Sequence, residues 1–137
     1  MAEFGYALAS LSAILKTAAN RAAIEELRTE GAEPVWLPLD LLEGRRDVPE
    51  TWDMTSDGLA AWLAGQLSAP RLIFLKRILP KLQRLPDLVA GGLLDPLTPR
   101  FLAQSNVEAW ICGPRDLARL GAALADGSAI GRRIEVA

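Results

Sequence analysis

Histidine is missing from this 137-residue chain altogether, and cysteine occurs once, as Cys112. Without histidine there are no imidazole metal ligands and no Ser-His or Cys-His nucleophile pairs. A single cysteine forms no internal disulfide, which suits a reducing cytosol, and a cytoplasmic location is expected. Half of the residues are hydrophobic, yet no apolar run approaches the roughly 18 residues that read as a membrane span. The opening "MAEFGYALAS" lacks a basic n-region and a small-residue cleavage pattern, so no signal peptide is expected. There is no basic block and the net charge is −2, so neither nucleic acid nor an anionic membrane is an expected partner. Any chemistry must rest on Asp, Glu, Lys, Arg, hydroxyls and backbone amides.

The length suits one ordinary domain over residues 1–137. Phe4, Leu8, Leu11, Ile14 and Leu15 are spaced as a helix through residue 17 or so. Asn20 reads as the cap of a second helix running through Glu30, with Gly31 as its stop. "PVWLP", 34–38, is a short strand, and "LDLLEGRRDVPE" a loop with one helical turn. From Thr55 the spacing of Leu59, Trp62, Leu63 and Leu67 is helical, and "RLIFLK" from Arg71 is a buried strand. Prolines and Gly91-Gly92 break 77–96 into loop around a short helix, Leu85 to Ala90. A helix near Pro99 to Gln104, the strand "VEAWIC", a helix from Arg115 to Ala125 and a last strand in "AIGRRIEV" complete the reading. Strands alternating with helices predict an α/β fold: a three-layer α/β/α arrangement around a small, mainly parallel sheet. Two opening helices and four short strands make it look like the second half of something larger, or like a subunit that completes its sheet with a partner.

The richest polar cluster sits at the mouth of one helix: Trp52, Asp53, Thr55, Ser56 and Asp57. Capping accounts for part of it, with Thr55 or Ser56 as the N-cap and Asp57 as a first-turn carboxylate. The same helix precedes a strand whose carboxyl end carries Lys76 and Arg77. Ligands of parallel α/β sheets bind at such strand ends, and hydroxyls, a carboxylate and two cations suit a phosphate-bearing molecule. The stretch "WDMTSDGLAAWLAGQLSAPRLIFLK" resembles the carboxyl-half signature of the amino acid kinase superfamily, the aspartate/glutamate/uridylate kinases. Asp57, Ala60, Ala61, Leu63 and Ala64 match its N-x-D-x-x-A-x-x-(I/L)-A pattern, and "SAPRLIFLK" takes the place of its ATP-side strand. "GLLDPLTP" at 92–99, "GRRI" at 131–134, "EPVWLP" and "AWICGP" are similar to the small kinases linked to methanofuran and tetrahydromethanopterin metabolism. The likeness runs in order from about Glu3 to Ile134.

That resemblance implies ATP with Mg2+ as cofactor and a small-molecule substrate. It implies Asp57 as organiser of the catalytic lysines and Lys76 beside the ATP phosphates, with Arg77, Lys81 and Gly113 as further nucleotide contacts. Asp53, Thr55, Ser56 and Trp52 fall on the acceptor side. No metal-ligating residue is expected. The departures are equally specific. The family's K-x-G-G-S glycine turn, its second glycine-rich turn and its D-x-D-G turn are absent, "RILP" standing in place of the last. Arg132 stands where threonine is usual. Catalysis would therefore need a complementary amino-terminal kinase half. The alternatives are a non-catalytic interaction subunit that keeps the kinase fold, and a homo-oligomer that pairs its sheet edge or opening helices. Asp95, in "LLDP", reads as a turn residue before proline, and Cys112 as a small buried residue.

Overall fold

The structure, a computed structural model, describes residues 2–136. A chain whose length suits one domain over 1–137 folds as two compact units, Met1–Pro49 and Glu50–Ala137.

In the first unit α1 (Ala2–Ala9) is followed by β1 (Leu15–Ala18), α2 (Arg21–Thr29), β2 (Glu33–Trp36) and one helical turn, α3 (Leu39–Leu42). Asn20 caps α2 as expected, its Oδ1 accepting from the Ala23 N–H at 2.9 Å, and Ile24 is buried beneath it. The single helix expected through residue 17 is corrected. It ends at Ala9, where the Ser10 hydroxyl donates to the Ala7 carbonyl and Ser12 supports the next turn. Serine side chains compete with helical hydrogen bonds in this way. Leu15 to Ala18 then pairs in parallel with Glu33 to Trp36. Pro34 is tolerated in β2 because Glu33 and Leu37 donate toward β1, so the missing N–H of Pro34 faces the other side.

The second unit contains α4 (Ser56–Gln66), β3 (Arg71–Leu75), α5 (Leu85–Ala90), α6 (Thr98–Ala103), β4 (Glu108–Cys112), a 3-10 turn (Pro114–Asp116), α7 (Leu117–Asp126) and β5 (Arg132–Arg133). β3 and β4 are parallel, Arg71 opposite Glu108 through Leu75 opposite Cys112, while β5 joins β4 antiparallel. The protein is thus α/β, but its strands fall into two sheets, one of two strands and one of three. On one face of β3–β4, Ile73 and Cys112 pack with Leu120, Ala123 and Ile130, so α7 covers that side. Phe74, Ala109 and Ile111 point the opposite way and are buried, where α4 packs on β3 and α6 on α4. Each fully buried leucine or isoleucine of this core, Leu85, Leu88, Ile111 and Ile130 among them, contributes about 2 kcal/mol.

Gly131 closes the turn into β5 at φ 65°, and a Cβ there would collide with the Ile111 carbonyl and the Cys112 sulfur. Gly131→Ala is expected to cost about 2–3 kcal/mol, from the left-handed backbone and the clash together. Urea unfolding of the variant checks this; a midpoint equal to wild type would show that the turn is free to move.

Candidate functional site

Thr55 occupies the N-cap position of α4 in an extended conformation, but its side chain accepts nothing from the helix. The acceptor comes from forty residues away. Oδ2 of Asp95 takes the Gly58 N–H (2.6 Å), the Thr55 N–H (3.0 Å) and the Thr55 hydroxyl (3.2 Å). Oδ1 of the same carboxylate takes the Leu97 N–H (3.1 Å), the Thr98 N–H (2.9 Å) and the Thr98 hydroxyl (3.0 Å). One side chain therefore caps both α4 and α6, satisfying donors that helix starts leave open. Asp95 is only 7% exposed. Burial pushes its pKa up, but the N–H groups of Gly58 and Thr55 and the hydroxyls of Thr98 and Thr55 together hold it below the ordinary aspartate value. Gly58 is required for this approach, since a Cβ would stand 2.9 Å from Oδ1.

With the helix start held from below, its first turn presents Asp57 to the end of β3. Lys76 Nζ lies 2.8 Å from both carboxylate oxygens of Asp57. Backbone pairing holds Lys76 in turn, its N–H donating to the Cys112 carbonyl at 2.9 Å. The two side chains keep 23% and 15% of their exposure, so the pair is shielded more than an ordinary surface ion pair, yet open on one side. The structure thus brings together the two residues that the sequence reading places at the centre.

The other candidates are spread around that pair. Trp52 is 97% exposed, and Asp53, Ser56, Arg77 and Lys81 are exposed as well. The Lys81 carbonyl accepts from Arg132 at 2.6 Å. Gly113 is buried, its N–H committed to Asp116 at 2.9 Å, and Leu79 packs where its Cβ would be. Cys112 is buried, and burial followed by the Asp116 carboxylate pushes its thiol up, away from the reactive thiolate. Among the described residues no group of three or more Cys, Asp or Glu is placed to hold a metal ion. No described helix is long and apolar enough to cross a membrane.

Asp95 is the residue that the turn reading undervalued. Its partners lie far away in sequence, and the available signal was its place in "GLLDPLTP", one of the stretches that carries the family resemblance. Comparison with protein-family models and with curated proteins finds no match for this chain.

Asp95→Ala leaves two helix starts without their acceptor and is expected to cost about 3 kcal/mol in urea unfolding. Asp95→Asn, with one oxygen acceptor left, falls between. Because the folded pKa is depressed, this contribution is complete above about pH 4 and is lost as the pH falls through the lower folded-state value. The acid-sensitive component therefore disappears in Asp95→Ala. A variant as stable as wild type at pH 7 would remove Asp95 from its capping role.

Proposed function

We propose that the second unit is the ATP-binding side of a phosphotransferase acting on a small metabolite, completed by a chain segment that supplies the glycine turns and a second lysine. The observation that carries this reading is the two-oxygen grip of Asp57 on Lys76 at the carboxyl end of β3. Phosphoryl transfer depends on positioned positive charge more than on covalent chemistry by the protein. A lysine ammonium has three N–H donors. Both Asp57 oxygens hold that ammonium at the end of β3, and a donor not turned toward Asp57 would meet a phosphate oxygen there. Arg77, next in sequence and exposed, adds a second cation. ATP would supply the phosphoryl group, and its magnesium would be held chiefly by the phosphates, since the described residues offer no carboxylate cluster. On the acceptor side Thr55 is committed to Asp95, leaving the exposed Ser56 and Asp53 to meet the substrate. The family resemblance favours an acceptor from one-carbon cofactor biosynthesis, of the methanofuran or tetrahydromethanopterin type.

A second reading, a non-catalytic interaction subunit, is favoured by one observation. The helix mouth that would greet a phosphate is already filled in part by the Asp95 carboxylate. Calorimetric titration with ATP and magnesium, alone and with a candidate amino-terminal half, separates the two. Saturable binding is expected, weakened at least about tenfold in Lys76→Ala, a loss of about 1.4 kcal/mol. Asp57→Asn should weaken it as well, while circular dichroism stays unchanged. Absence of nucleotide binding in both settings overturns the kinase reading, and retained partner binding would then support the subunit.

A further inference from the structure

The connection from β3 to α5, residues 76–84, stays on the sheet of the second unit. Its first residue is tied to the end of β4, the Lys76 N–H donating to the Cys112 carbonyl. Three residues on, the Leu79 Cβ lies 2.8 Å from the point that a Cβ on Gly113 would occupy. Gly113 directly follows the last residue of β4, so the chain passes over the carboxyl end of that strand. Pro80 is buried there. Arg132 of β5 then donates from Nη1 to the Lys81 carbonyl at 2.6 Å. Past this point the connection runs parallel to the segment after β5. The Glu135 N–H donates to the Gln83 carbonyl at 2.8 Å, and the Leu85 N–H to the Glu135 carbonyl at 2.9 Å. Residues 76–84 are therefore a strap laid across the carboxyl ends of β3 and β4 and tied down beyond them by β5.

The strap is basic in an acidic chain. It carries Lys76, Arg77, Lys81 and Arg84 and no acidic residue, while the net charge of the protein is −2. Arg77 and Lys81 are exposed. Asp57 is taken by Lys76, and the buried Asp116 by the Gly113 N–H and Arg119. Glu135, at the far end of the strap, is exposed. Arg132 stands opposite Ile111, and Ile111 opposite Phe74, so Arg132 is two strand spacings from β3, about 10 Å. A chain of phosphates meets cations at both ends of that spacing; a single phosphate meets those at one end. We propose that Arg132 is a positioning residue. By holding the Lys81 carbonyl it keeps the strap closed over the strand ends, so that Lys81 and Arg77 stand with Lys76 around a linear polyphosphate. Untied, Lys81 would have to be ordered by the anion itself, at the expense of affinity. This inference rests on reading the Asp57–Lys76 pair as a phosphate site and adds to it what selects the length of the anion.

Two measurements on the full chain test this. Limited tryptic digestion, read by mass spectrometry, follows cleavage of Lys81–Leu82, the bond whose carbonyl Arg132 holds. Cleavage is expected to be about tenfold faster in Arg132→Ala, which lacks one charge-assisted hydrogen bond, with the urea midpoint retained. Arg132→Lys, still a cationic donor, should restore most of the resistance. Calorimetric titration with inorganic tripolyphosphate is the second measurement, and tighter binding than that of orthophosphate is expected. Lys81→Ala and Arg132→Ala should each weaken it about fivefold, the size of one exposed charge contact. The double variant should be no weaker than either, because Arg132 acts through Lys81. Losses that multiply, cleavage of Arg132→Ala at the wild-type rate, or a wild-type chain that does not bind tripolyphosphate overturns the proposal. ATP with magnesium separates it from the kinase reading. ATP binding that needs Lys76 but is indifferent to Lys81 and Arg132 overturns the strap and leaves that reading standing. Tripolyphosphate binding that needs the strap, in a chain that does not bind ATP, supports the strap and overturns the kinase reading.

Discussion

The second unit turns on a single buried carboxylate. Asp95 receives six hydrogen bonds, three on each oxygen, from the starts of two different helices. A carboxylate taken out of water is costly unless its oxygens are filled, and helix starts are costly unless their donors are. Each deficit here answers the other. The result is that α4 and α6 begin at one point and run side by side, with Gly65 meeting Ser105 at their far ends. Small residues along α4, Gly58, Ala61 and Ala64, are buried and permit the close approach.

The Asp57–Lys76 pair depends on that arrangement. Asp57 is one residue before Gly58, whose N–H makes the shortest bond to Asp95, so the orientation of the first turn is set before Lys76 is reached. β3 sets the other partner through its ladder with β4. A lysine on a flexible stem becomes a fixed charge because both its backbone and its ammonium are held. Such rigid support beneath a charged group links the stability of the core to the geometry of the ion pair.

Much of the second unit was legible from residue spacing. The helix from Ser56, the strand from Arg71 and the strand through Cys112 lie where periodicity puts them. The first unit was less so. Leu15 continues the apolar spacing of Phe4 and Leu8, but β2 supplies backbone partners that outweigh the pattern, and residues 15–18 become a strand. Short segments of this kind carry little intrinsic preference, and tertiary pairing decides them. Asp95 was opaque for a related reason: "LLDP" describes a turn correctly, and nothing local shows that Thr55 and Gly58 will arrive at the same carboxylate.

The sequence by itself determined the chemical vocabulary. Lacking histidine and having one cysteine, the chain is confined to carboxylates, cations and hydroxyls, and its alternating periodicities make it α/β. It also placed Asp57 at a helix start and Lys76 at a strand end. Tertiary structure alone decided that these two meet, that Asp95 rather than Thr55 caps the helix, and that the strands divide into two sheets. The physical reason is common to all three. Each depends on which distant backbone or side-chain donor reaches an acceptor first, and that is settled by packing, not by neighbours in the chain.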